Sequence, residues 1–245
     1  MEIKNHLKSY GYNYEFSLND DLCSKELMKY LGRKKFNEFW SYVDNMSKMF
    51  GTDKTESIIR NYIGDDETFL KILISGQIII SVSILEEIIK SFKKDLIDTN
   101  KKYDVLELGG YDGWSSDYLD LSIDKSLSID VVDKVIVEKG FNPNLRLIQS
   151  DYDKYSSNKK YDVIFSILGV QFENIDTLIN CICRNIKKNG VVYLGLRIQP
   201  EDYEKINKKF YQLGFKEIRK ELKTIKVKKD TGVEFFPFFQ FKTTQ

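Results

Sequence analysis

The sequence predicts an α/β protein: a mostly parallel, seven-stranded sheet that ends in a C-terminal antiparallel hairpin and follows an N-terminal helical subdomain. Three observations predict it. Apolar residues recur at helical spacing through the first hundred positions, short β-branched runs alternate with helical segments after Lys101, and two longer strand-like runs close the chain.

In the first region Phe36, Phe39, Trp40, Val43 and Met46, and then Ile58, Ile59, Tyr62 and Ile63, follow helical periodicity. Gly32, Gly51 and Gly64 each close a periodic segment as a helix C-terminal glycine does, and Asp53 and Asp65 stand where they would cap the next helix. About four or five helices are expected. The apolar stretch from Ile72 to Leu85 is interrupted by Ser75, Gly76, Gln77, Ser81 and Ser83 before the roughly 20 apolar residues that a membrane span needs. It predicts a buried helix, and no membrane partner is expected.

From Lys101 onward, Tyr103–Leu108, Leu127–Val132, Leu145–Gln149, Tyr161–Ile167 and Val191–Leu196 read as five strands. Their near-continuous hydrophobicity suits parallel strands covered on both faces. Asp202–Leu213 reads as a helix closed by Gly214, and Phe215–Val227 and Val233–Lys242, joined by Lys-Lys-Asp-Thr-Gly, read as a hairpin. Pro237 suggests an edge position or a bulge. The Phe-rich run Glu234–Phe241 reads as that hairpin, with a homodimer surface as the alternative. The simplest plan is a helical cap or substrate-side subdomain over 1–100 and a sheet domain over 101–245.

Composition sets the outer bounds. The chain has 245 residues, 42% of them apolar and 31% charged, which is enough to bury a full core. Cys23, Cys181 and Cys183 form neither an even set nor a metal-spaced quartet, so no disulfide framework and no metal site is expected. The opening MEIKNHLKSYGYNY has no signal-peptide core, which makes the cytoplasm the default location. Net charge is +1 and the lysines are scattered among acids, so a nucleic-acid partner is not expected on this ground.

The most informative segment is Val105-Leu-Glu-Leu-Gly-Gly-Tyr-Asp-Gly-Trp-Ser-Ser, a buried strand that runs into a glycine-rich turn and then a helix. Taken alone it also admits a tight turn without a ligand. Glu107, Gly109 and Gly113, however, stand where the class I S-adenosylmethionine-dependent methyltransferases carry the acid and the first and third glycines of acidic-x-Gly-x-Gly-x-Gly, and the segment resembles that Rossmann-like family. Tyr111 takes the place of the middle glycine. The G-x-G-x-x-G spacing of nicotinamide-binding folds is not met. The likeness extends in order and spacing from Lys101 to Gln245.

The resemblance implies S-adenosyl-L-methionine as cofactor, with Glu107, Gly109, Gly110, Tyr111 and Gly113 forming its loop. It implies an acid at the end of the second strand, Asp133, accepting both ribose hydroxyls. Counting from Glu107 alone favours Asp130 instead. Asp151 on the third strand is implied at the adenine amino group, with a helix cap as the other reading, and Tyr152 is implied against the ring. Ser166 to Gln171 are implied along the cleft, and Asn189-Gly190 is usual before the fifth strand of such proteins.

Methyl transfer needs nucleophile, methyl and sulfur held in line, and a hydroxyl acceptor also needs a base or a metal. The single histidine, His6, reads as a solvated terminal residue, so no catalytic residue is assigned. A small-molecule O or N acceptor is expected from the neutral charge balance, with Gln171 and Arg197 as candidate acceptor contacts. An RNA or protein methyltransferase and a non-catalytic interaction subunit are the alternatives. The aromatic run Tyr10–Phe16, placed before the first expected helix, reads either as a lid over the cleft or as packing on the helical subdomain.

Overall fold

A computed structural model of the chain describes residues 2–12, 28–50, 55–96, 101–123, 126–137, 142–168, 175–196, 203–217, 223–229 and 232–244. The helices with defined bounds are α1 (Ile3–Ser9), α2 (Arg33–Phe50), α3 (Thr55–Ile63), α4 (Asp66–Asp95), α5 (Trp114–Ser122), α6 (Ile175–Asn185) and α7 (Tyr203–Gln212). The strands are β1 (Tyr103–Leu108), β2 (Leu127–Asp133), β3 (Leu145–Gln149), β4 (Tyr161–Ile167), β5 (Ile186–Gly195), β6 (Phe215–Glu217), β7 (Lys223–Lys229) and β8 (Gly232–Thr243).

Two compact units form, one of Met1–Tyr10 with Ile80–Gln245 and the other of Gly11–Ile79. The division expected at residue 100 therefore moves to residue 79, and the first ten residues join the sheet. The reason lies in α4, a single 30-residue helix whose second half serves the sheet. Phe92 packs edge-on against Tyr103 with ring centroids 5.7 Å apart, and Gly195 is so close to Ile84 that a Cβ there would lie 2.4 Å from its Cγ2. Among the described residues no helix is long and apolar enough to cross a membrane.

The helical unit is built around Phe39, Val43, Ile58, Ile63, Phe69 and Ile72, on the periodicity read from sequence. Gly32 and Gly64 adopt positive φ and donate to the carbonyls of Met28 and Arg60, which ends their helices. Asp65 accepts the Thr68 N–H at 2.9 Å and caps α4. Gly51 and Asp53 lie outside the described residues.

The sheet runs β3-β2-β1-β4-β5-β8-β6, with β7 also paired to β8. The first five strands are parallel and β8 is antiparallel to β5, β6 and β7. Seven strand positions were expected and eight strands form, because β6 and β7 share one side of β8. β8 consequently lies inside the sheet from Phe238 to Lys242, and Pro237 falls just past its pairing with β5, at the local edge that the sequence suggests. Pro237, which has no N–H, pairs with Thr224 at the point where the pairing to β5 stops. Asn189-Gly190, expected ahead of the fifth strand, falls inside β5 at an irregularity between the pairs Tyr161↔Ile186 and Val163↔Val191. Asn189 takes positive φ there.

Candidate functional site

β1 and β2 end side by side, Leu108 opposite Val132, and the chain turns out of β1 at the carboxyl edge where sheets of this type bind their ligands. Gly109, Tyr111 and Gly113 all take positive φ, at 84°, 46° and 77°. The Gly113 N–H donates to the Gly110 carbonyl at 2.7 Å and closes the turn. Gly110 is required for space: a Cβ on it would lie 2.4 Å from Val131 Cγ1 and 2.7 Å from the Glu107 carboxyl.

Tyr111 holds a left-handed conformation that costs a non-glycine residue on the order of 1 kcal/mol. Neighbouring bonds hold it there. Its N–H donates to Asp133 Oδ2 at 3.1 Å, its carbonyl accepts the Val137 N–H at 3.4 Å, and its ring is buried. The glycine turn and the segment after β2 are thus joined through this residue.

Glu107 sits behind the turn, 1% exposed. Its two carboxylate oxygens accept the hydroxyls of Ser115 and Ser116, the first residues of α5 after Trp114. Burial outweighs those two bonds, and with the charges of Asp112 and Asp133 it pushes the carboxyl up to about 7. Asp112, also buried, accepts the Trp114 N–H at 3.3 Å, the first N–H of α5. Asp133, at the end of β2, is partly exposed. Burial raises its pKa, against the lowering effect of the N–H groups of Tyr111, Val135 and Lys134. Three carboxyls close enough to feel one another therefore surround the loop, a setting suited to a ligand that carries positive charge.

Asp130 is engaged elsewhere. It accepts Arg146 Nε and Nη2 at 3.1 and 2.7 Å, directly across the strand pair, and the Tyr161 hydroxyl as well. Asp151 lies on the surface with Lys154 at 2.9 Å and Lys134 at 3.5 Å, which lower its pKa. Tyr152 is buried in the core cluster that also holds Leu108, Val132 and Ile175, near enough to Asp133 and Glu107 for their charges to add to burial in raising its pKa. The Ser166 hydroxyl donates to the Leu108 carbonyl at 2.7 Å and ties β4 to the end of β1. Gln171 and Arg197 lie outside the described residues.

The structure thus brings Glu107, Gly109, Gly110, Tyr111, Gly113 and Asp133 into one turn. Ser166 supports that turn from within, Asp151 faces solvent, and Tyr152 faces the core. Sequence reasoning missed four supports. Ser115 and Ser116 could have been found by asking which donors serve a buried motif acid. Arg184 has no such signal: its Nη2 donates to the carbonyls of Tyr152, Asp153 and Tyr155 at 2.6, 3.1 and 3.4 Å and holds the chain after β3. His6, expected in solvent, is 1% exposed. Its Nε2–H donates to the Trp114 carbonyl at 2.8 Å, beside the Tyr10 hydroxyl that donates to Asp117 at 2.9 Å. Helix α1 thereby docks on α5, ahead of the aromatic run whose remainder from residue 13 lies outside the described residues.

No protein-family model matches the chain, and no curated protein matches it. Solved structures do. A candidate hemolysin from Lactococcus lactis aligns at TM-score 0.51 and 15% identity, over 66% of this chain and 86% of that one. A candidate RNA methyltransferase from Pyrococcus horikoshii aligns at 0.49 and 16%, over 68% and 84%. A SAM-dependent methyltransferase from Geobacter sulfurreducens in complex with S-adenosyl-L-homocysteine aligns at 0.42 and 15%, over 56% and 64%. The likeness is one of fold. Together with the strand order above, it gives the chain a Rossmann-like α/β fold.

Proposed function

We propose that the chain is an S-adenosylmethionine-dependent methyltransferase acting on an O or N acceptor. One observation carries this reading: Asp133, a partly exposed carboxylate at the end of β2, lies against a left-handed glycine turn at the end of β1. That pairing places an acceptor for hydroxyl donors beside the partly exposed Gly109 where the chain leaves β1.

When bound, S-adenosylmethionine supplies an electrophilic methyl on a cationic sulfonium. The residues present fit such a group, because Asp133 and the buried Asp112 place negative potential at the loop, to which Glu107 adds as it ionises above about 7. Asp133 would accept the ribose hydroxyls, and Gly109 and Gly110 would let the backbone approach. Ser115 and Ser116 hold Glu107 beneath the loop, and Ser166 holds β4 against β1. The chain's contribution is alignment and exclusion of water, which can supply roughly 7–11 kcal/mol of barrier lowering. Asp151, Tyr152, Gln171 and Arg197 remain proposed contacts of the cofactor or the acceptor.

The small-molecule acceptor expected from the neutral net charge stays a reading of this site. We place a polyanionic acceptor ahead of it, because the neutrality averages a basic segment, residues 216–229, with an acidic remainder. Isothermal calorimetry of S-adenosylmethionine and S-adenosylhomocysteine tests the cofactor. Micromolar-class binding is expected for the wild type, lost in Asp133→Ala and kept in Asp130→Asn. Absence of binding by folded wild type would move the reading to a non-catalytic interaction subunit.

A further inference from the structure

The most uneven feature of the chain is its charge near the end. Residues 216–229 hold seven basic side chains against Glu217 and Glu221, a net of +5 in a protein whose total is +1. Four of the seven, Lys223, Lys226, Lys228 and Lys229, fall on β7, which contains no acid.

The register says where that strand lies. β5 pairs with β8 only as far as Gly195↔Phe238, while β7 continues along β8 from Lys223↔Phe238 to Lys229↔Gly232. Six residue steps of the β7–β8 ribbon therefore extend past the carboxyl end of β5, about 20 Å at strand spacing. The pairs Glu107↔Phe165 and Phe165↔Tyr193 place the glycine turn on the same edge of the sheet. β7 stands four strand positions from β1, about 19 Å across the sheet.

From this juxtaposition we infer that the β7–β8 ribbon is the docking element for an RNA strand that carries the methyl acceptor. Successive strand residues alternate between faces, so Lys226 and Lys228 share one face of β7 and Lys223 and Lys229 the other; a polymer lying along its edge away from β8 meets charge from both, whereas a small anion would meet one or two of the lysines. Only an extended acceptor reaches from the ribbon to the glycine turn. Lysine also suits phosphate, which accepts a point charge without demanding a planar fork. The inference rests on the methyl-transfer reading for what the RNA receives, and its binding test does not.

The test is fluorescence anisotropy of a labelled, mixed-sequence single-stranded RNA with the full chain, from 50 to 200 mM KCl. If the four lysines each neutralise a phosphate, affinity falls about 50-fold over that range on their account. The quadruple variant Lys223→Ala, Lys226→Ala, Lys228→Ala, Lys229→Ala should lose that part of the salt dependence, and the quadruple Lys→Arg variant should keep it. Unchanged S-adenosylhomocysteine binding and melting temperature would show that the Ala variant folds; if it does not fold, single Lys226→Ala and Lys228→Ala variants must each lower the salt slope. Equal affinity for a poly-glutamate peptide would overturn the choice of RNA. Salt-dependent binding that is unchanged in the Ala variant would overturn the site, as would self-association of that variant with RNA binding intact, since lysines on an edge strand also keep sheets from pairing with one another. Loss of cofactor binding alone would count against the methyl-transfer reading and leave the ribbon assignment standing.

Discussion

Replacing Glu107 by Gln tests the energetics of the loop most directly. Glu107 is fully buried, receives two serine hydroxyls and has its carboxyl pushed up to about 7 by burial and by Asp112 and Asp133. An acid that binds its proton more tightly when folded contributes stability that is complete below its unfolded pKa and is lost as pH rises through the folded one. From 4.5 to about 7 that amounts to about 3 kcal/mol. Glutamine keeps the shape, accepts one serine hydroxyl, can donate to the other, and carries no titration. The wild type should lose about 3 kcal/mol more than Glu107→Gln between pH 4.5 and 8, a difference of about 6–12 °C in melting temperature for a chain of this length. Trp114 fluorescence in a Trp40→Phe background reports on the sheet unit alone. Parallel pH profiles would refute the reasoning, because they would mean that the two serine bonds outweigh burial and keep Glu107 ionised throughout.

Two further outcomes follow from the geometry. Gly110→Ala forces a methyl into Val131 and the Glu107 carboxyl and should cost about 1–3 kcal/mol as overpacking; chemical denaturation measures it, and an unchanged midpoint would mean that the loop moves freely. Arg184→Ala removes one cation from three carbonyls of the 152–155 segment and should cost about 1.5–3 kcal/mol. Amide exchange confined to that segment, partly restored by Arg184→Lys, separates this positioning role from general destabilisation.

The central strands were legible because they are buried on both faces: Tyr103–Leu108 and Tyr161–Ile167 match their expected limits residue for residue, since near-continuous apolar runs leave few alternative registers. Leu145–Gln149 matches too, although as the end strand of the sheet it is only partly buried. Legibility failed where tertiary partners decide. The fifth strand reads from Val191 in the sequence, yet the chain enters β5 at Ile186, where Lys187 meets Asp104 and Asp162 at 2.8 and 2.9 Å. Helix α1 offers few apolar positions in seven residues, and its fixed place comes from Trp114 and Asp117, more than a hundred residues away in sequence. In the candidate site the turn and its acids could be read from the motif, whereas the orientations of Asp151 and Tyr152 depend on lysines and core contacts that no spacing rule encodes.

Asp130 and Asp133 show how position on a strand divides two otherwise similar acids. A carboxylate in mid-strand is surrounded by sheet and helix, and it survives there only with its charge met. Asp130 does this through a two-toothed bond to Arg146 and the hydroxyl of Tyr161, which is bonded in turn to Tyr155 at 2.6 Å. To receive a ligand it would have to give up those partners. Three residues later the strand has ended, and Asp133 is oriented by the N–H groups of Tyr111, Val135 and Lys134 while staying partly exposed. Exchanging solvent for two ribose hydroxyls disturbs no protein bond. The acid able to bind a ligand is therefore the one at the strand end, and the same loop backbone that orients it presents the surface on which that ligand would rest.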